Sequence, residues 1–104
     1  MREVWKDVVG FEGIYLVSNK GRIKSVDRYD RPGRFYKGKL RKLRVQADGY
    51  LEIILLDNGR KKQILVHRVV AEAFVSNPSD YPEINHKDEN KQNNCVDNLE
   101  WCTR

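Results

Sequence analysis

No apolar run in this 104-residue chain approaches the roughly 20 residues that a membrane-spanning helix needs, and nothing in it resembles a secretory leader. No membrane partner is therefore expected, and the protein reads as intracellular and cytoplasmic. Cysteine is scarce too. Cys95 and Cys102 match no paired-cysteine zinc spacing and suit a reducing compartment, where they read as small structural thiols. A zinc set of Cys95, Cys102, His86 and His67 is the weaker alternative. At 12.3 kDa and 39% hydrophobic residues, the chain has material for one small domain, or two subdomains sharing a modest core.

Acidic residues are nearly missing from one stretch. Lys20, Arg22, Lys24, Arg28, Arg31, Arg34, Lys37, Lys39, Arg41, Lys42 and Arg44 face only Asp27 and Asp30, so this window carries +9 and the rest of the chain −4. A segregated basic stripe is the footprint of a phosphate backbone, because each neutralised phosphate releases counterions. Tyr29, Phe35 and Tyr36 lie inside the stripe, placed to stack on bases or enter a groove. A solvated charged loop is the alternative, since Arg31-Pro32-Gly33 interrupts any regular element.

Short apolar runs over 3–5, 15–17 and 22–26, separated by Gly10, Gly13 and Asn19-Lys20-Gly21, predict small strands. Residues 40–46 alternate imperfectly, with Leu40, Leu43 and Val45 against Arg41, Lys42 and Arg44, which predicts a strand with one buried and one phosphate-facing side. A strand over 50–56 runs into Asp57-Asn58-Gly59, a tight-hairpin signal because both central positions need positive φ, with 61–66 as its partner. The period then changes: Val66, Val69, Val70, Ala73 and Phe74 form one apolar stripe, predicting a helix over 67–75 that ends before Asn77-Pro78. His67, near its start, reads as a partly buried structural histidine.

Five asparagines fall within the fourteen residues from Asn85 to Asn98, around His86 and beside the apolar anchors Ile84, Leu99 and Trp101. Amide side chains brace irregular backbone and offer oxygen to hard cations, and an imidazole can take a proton from water near neutral pH. A hairpin is expected here, with strands over 81–86 and 99–102 flanking an Asn-rich loop. Leu99 and Trp101 are expected to pack it against the helix.

The string Asn85-His86-Lys87-Asp88, Asn90-Lys91, Asn93-Asn94 and Asn98-Leu99-Glu100-Trp101 resembles the HNH endonucleases of the phage and intron homing type. His67-Arg68-Val69-Val70-Ala71-Glu72-Ala73-Phe74 with Asn77-Pro78 is similar to what precedes that site in the family. Trp5-Lys6-Asp7, Gly10-Phe11-Glu12-Gly13, Tyr15, Val17-Ser18-Asn19 and Gly21-Arg22 resemble a short module often found ahead of it; only residues 27–49 are poorly matched.

The resemblance implies an α+β fold: an N-terminal antiparallel β-rich, basic, DNA-contacting module over 1–49, then a nuclease region over 50–104 made of a hairpin, a helix and a ββα-metal unit. It implies phosphodiester hydrolysis in double-stranded DNA, nicking in the first instance, with His86 as general base. Asn98 would hold the loop and orient the histidine. Asn85 would bind a divalent metal, Mg²⁺ or Mn²⁺, where many relatives carry Asp. Asp88, Asn90, Asn93 and Asn94 read as loop scaffolding. Thr103 stands where a helix N-cap would be, and by family spacing a last metal ligand falls past Arg104. The runner-up reading is accordingly a DNA-binding module without that helix and without catalysis; another is an assembly in which a second chain supplies it. A monomer encoded by a phage or mobile element is the expected form.

Overall fold

The computed structural model describes residues 2–29, 32–57 and 59–104. Tight turns organise its first half. β1 (Trp5–Asp7), β2 (Tyr15–Ser18) and β3 (Ile23–Ser25) form an antiparallel sheet in that order, with Lys6 opposite Val17 and Val17 opposite Ile23. The β2–β3 turn requires Gly21 at φ +86°, a conformation costing an L side chain roughly 1–2 kcal/mol. Asn19 ties the turn to the N-terminus: its Oδ1 accepts from the Val4 N–H at 3.0 Å and its Nδ2 donates to the Arg2 carbonyl at 2.9 Å.

The interrupted stretch after β3 is itself a small hairpin, β4 (Arg28–Tyr29) against β5 (Phe35–Tyr36). No periodicity announces it, because each strand is only two residues long. The Tyr29 and Phe35 rings pair at 5.2 Å and both residues are exposed. Over 40–46, only β6 (Arg44–Val45) is a strand, with Leu40 making a lone bridge to Lys24. Leu40 and Val45 are exposed and only Leu43 of the alternating apolar set joins the core margin, because two paired residues are too few to hold one face inward.

β6, β7 (Leu51–Asp57) and β8 (Arg60–Leu65) form a second antiparallel sheet. Asn58 of the expected tight turn lies outside the described residues; Gly59 takes φ +84° and Leu56 pairs with Lys61. The chain passes directly into α1 (Val66–Phe74), whose apolar stripe buries Val66, Val69, Val70 and Ala71. β9 (Glu83–His86) and β10 (Leu99–Cys102) then pair as the last hairpin, with His86 opposite Leu99 and Asn85 opposite Glu100; a 3₁₀ turn, Val96–Asn98, precedes β10.

A single core joins the two halves. Val8 and Phe11 from the β1–β2 connection and Tyr15, Val17 and Ile23 from the first sheet pack with Ile53 and Leu55, the helical valines and Leu99. The Tyr15 hydroxyl accepts from the Leu56 N–H at 3.2 Å, and the Trp101 Nε1–H donates to the Val75 carbonyl at 3.0 Å, fastening the hairpin to the helix as expected. The architecture is α+β, antiparallel strands around one helix, in agreement with the expected class. No described helix is long and apolar enough to cross a membrane.

Candidate active site and nucleic-acid surface

The Asn-rich loop is a hydrogen-bonded knot. Asp88 accepts from the Asn90 N–H at 2.8 Å, from Asn93 Nδ2 at 2.8 Å and from Asn98 Nδ2 at 2.9 Å. Those donors, the Asn93 amide foremost, hold the Asp88 carboxyl below the usual carboxylate range. Asn98, buried in the centre, also donates to the Asn93 carbonyl at 2.9 Å and accepts from the Asp88 N–H at 3.0 Å. Its partners are all in the loop.

His86 ends β9 with 5% of its surface exposed. Its Nε2 lies 2.8 Å from Asn94 Oδ1. An amide oxygen only accepts, so this contact places the ring proton on Nε2 and leaves Nδ1 with its lone pair. Asn94 is therefore the histidine's polar partner, a role that composition could not separate from that of its four sister asparagines. The Asn94 Nδ2 group is buried and has no hydrogen-bond partner among the described residues.

Two aromatic walls enclose the imidazole. The His67 ring centroid is 5.1 Å away and the Tyr50 centroid 5.8 Å, with Tyr50 and His67 5.1 Å apart. His67 is the second residue of α1 and is buried; burial, then the neighbouring His86 and Arg68, push its pKa down to about 4. It is neutral at physiological pH. Tyr50 carried no sequence signal for this contact and His67 was grouped with His86 only in the weaker zinc set; the contact joins the residue before β7, the start of α1 and the end of β9.

Asn85 is exposed, one residue earlier on the strand and on its opposite side. It donates from Nδ2 to Glu100 Oε1 at 2.9 Å, and because a carboxylate only accepts, its Oδ1 faces away from Glu100. Strand alternation does not separate the pair: both Asn85 and His86 line one cleft of about 250 Å³, together with Tyr50, Ile84, Glu89 and Lys91. Glu89, at φ +64°, turns the chain at its edge. Among the described residues no three His, Cys, Asp or Glu side chains gather to hold a metal ion, so the zinc alternative has no cluster behind it. What the cleft does offer is the Asn85 side chain, whose amide oxygen is not used by Glu100, in one lining with an imidazole. That donor suits a hard cation which keeps several waters and binds chiefly through substrate phosphate.

The N-terminal half braces this loop. The Val96 N–H donates to the Asn19 carbonyl at 2.8 Å, and a Cβ placed on Gly21 would lie 3.0 Å from Asn94 Cβ and 3.1 Å from the Asn94 carbonyl oxygen.

Of the eleven basic candidates, Arg31 lies outside the described residues. Lys20, Arg22, Arg28, Arg34, Lys37, Lys39, Lys42 and Arg44 are exposed, whereas Lys24 and Arg41 are half-buried. Several have protein partners: Arg22 forms an ion pair with Glu3, Lys24 lies over the Trp5 ring at 4.1 Å, Arg28 over Tyr36 at 5.5 Å, and Arg44 bonds Glu52 at 3.0 Å. Exposed Arg60, Lys61 and Lys62 of β8 extend the basic surface beyond the window visible in the sequence.

Residues 3–55 match the family described as the NUMOD4 motif, and residues 65–104 match that described as HNH endonuclease. The chain belongs to the NUMOD4 family, whose motif spans half of it, and its segment 65–104 is similar to the HNH endonucleases. It is 43% identical over 89 residues to an uncharacterized HNH endonuclease of Acanthamoeba polyphaga mimivirus, covering 86% of this chain and 24% of that one. DNA endonuclease I-HmuI of Bacillus phage SP01 is 39% identical over 100 residues, covering 96% of this chain and 52% of I-HmuI. The solved structure described as "DNA binding and cleavage by the HNH homing endonuclease I-HmuI" superposes with a TM-score of 0.78 at 38% identity, with the same coverage. The chain thus spans about a quarter to a half of the length of these curated relatives.

Proposed function

We propose that this chain is a homing-type HNH endonuclease segment that hydrolyses a phosphodiester of double-stranded DNA, one strand at a time, with a divalent metal, Mg²⁺ or Mn²⁺. The observation that carries the reading is a buried imidazole, fixed by an amide, in a cleft that Asn85 also lines.

Asn94 holds the Nε2–H, so Nδ1 of His86 is the basic atom that takes the proton of the attacking water. Tyr50 and His67 keep the ring from swinging and limit bulk water on that side. Neutral His67 adds no charge against the imidazolium as it forms. Asn98 acts at one remove: it fixes Asp88 and Asn93, and with them the loop that carries Asn94. Asn85 Oδ1 would hold the metal, which when bound neutralises charge on the scissile phosphate. Lys20, Arg22, Lys24, Arg28, Arg31, Arg34, Lys37, Lys39, Arg41, Lys42 and Arg44 supply the surface that grips the duplex.

Supercoiled-plasmid nicking with Mg²⁺ or Mn²⁺ tests this. The expected result is metal-dependent conversion to open circles and a loss of at least about a hundredfold for His86→Ala. Equal nicking by His86→Ala removes the proposed base. Salt-sensitive duplex binding without cleavage by the parent chain would leave a DNA-binding module instead.

A further inference from the structure

Lys91 is held in place without being neutralised. Its Nζ donates to the Asp48 carbonyl at 2.8 Å and lies 4.8 Å from the centroid of the Tyr50 ring, while its stem passes Gly49, where an added Cβ would sit 3.4 Å from Cδ. A carbonyl and an aromatic face attract an ammonium but leave its charge in place. Arg22, Arg44, Arg68 and Arg104 differ: each is paired with a glutamate, whereas among the described residues no carboxylate forms an ion pair with Lys91.

Its position is as specific as its restraint. Lys91 lines the cleft of about 250 Å³ that also holds His86 and Asn85, and the Tyr50 ring beneath its ammonium is the ring that stands 5.8 Å from the imidazole. One side chain thus steadies both groups. Glu89 also lines the cleft, at the turn on its edge, so Lys91 supplies the positive charge of a lining whose Asn85 is an uncharged amide. An ammonium carries three N–H donors, and the Asp48 carbonyl occupies one of them, which leaves donors for an anionic ligand.

Resting on the DNA-cleaving reading above, we propose that Lys91 is a further catalytic residue, whose ammonium binds a non-bridging oxygen of the scissile phosphate. In the hydrolysis the water oxygen bonds to phosphorus and its proton passes to His86; the bond to the departing sugar oxygen breaks, and that oxygen keeps the electron pair and takes a proton from solvent. Negative charge on the non-bridging oxygens is greatest midway through this exchange, so a cation touching them favours the transition state over bound substrate. A cation already fixed by a carbonyl and a ring needs no reorganisation as that charge develops.

Supercoiled-plasmid nicking in Mg²⁺, followed over a range of plasmid concentrations, tests this for the parent, Lys91→Gln, Lys91→Met and Lys91→Arg, each checked for folding by circular dichroism. Glutamine can still donate to the Asp48 carbonyl, so it removes the charge while keeping the tether. Lys91→Gln and Lys91→Met should each lower kcat by at least about thirtyfold, with KM and the salt dependence of duplex binding changed by less than about threefold. Lys91→Arg, which keeps the charge, should nick at least about fivefold faster than either. Parent-like kcat in Lys91→Gln or Lys91→Met overturns the inference. So does a change confined to KM and the salt dependence, the mark of a contact with a neighbouring phosphate, and so does equal loss in all three variants or failure of a charge-free variant to fold, the mark of a structural tie. Those outcomes spare the endonuclease reading; a parent that does not nick overturns both.

Discussion

Gly21 offers a test of whether the N-terminal turn holds the Asn-rich loop around His86. Substituting alanine places a Cβ at φ +86°, which costs roughly 1–2 kcal/mol in the backbone alone. That Cβ also meets Asn94 Cβ at 3.0 Å, its carbonyl oxygen at 3.1 Å and its carbonyl carbon at 3.3 Å. These atoms are rooted in the backbone, so the loop must move rather than a flexible side chain, and overpacking of this kind adds about 1–3 kcal/mol. The reduced freedom of the unfolded chain returns about 0.4–1 kcal/mol. A net loss of about 2–3 kcal/mol follows, equivalent to lowering Tm by about 10–20 °C for a domain of this size. Gly10→Ala is the internal control: its φ is +88°, but nothing lies within 4 Å of the added Cβ. Thermal melts of the two variants isolate the clash with Asn94. Because Asn94 holds His86 at 2.8 Å, nicking by Gly21→Ala should also fall about tenfold or more at a temperature where it remains folded. If Gly21→Ala melts no lower than Gly10→Ala, the turn does not brace the loop.

Two further outcomes rest on separate features. The His67 pKa lies at about 4 in the folded protein against an ordinary 6.5, so the unfolded chain binds a proton first as pH falls. Stability should therefore be complete above pH 6.5 and decline between 6.5 and 4; the full difference is about 3 kcal/mol, reduced to about 1–2 by partial solvent access to the ring. Urea unfolding at several pH values should show a flatter profile for His67→Phe, and an unchanged slope would place the pH dependence elsewhere. Reversing Lys37, Lys39 and Lys42 to Glu, all exposed, should weaken duplex binding across every sequence and lower the log–log salt slope by about 0.9 for each phosphate no longer neutralised. A salt slope equal to the parent's would move the DNA surface off this stretch.

The amino-acid order by itself determined the elements whose signal is local. The valine stripe of α1 made a helix because its period matches one face. The apolar anchors Leu99 and Trp101 fixed the last hairpin against it, and the clustered asparagines marked the loop around His86. Strands two residues long, such as those at Arg28 and Phe35, left no periodicity to detect. Only the tertiary structure selected Asn94 from five chemically equal amides, set His67 and Tyr50 against His86, and anchored Lys91 on the Asp48 carbonyl. The reason is physical: a helix or turn is specified by neighbours along the chain, whereas an imidazole's partner or an ammonium's anchor is set by groups that only folding brings within about 3 Å.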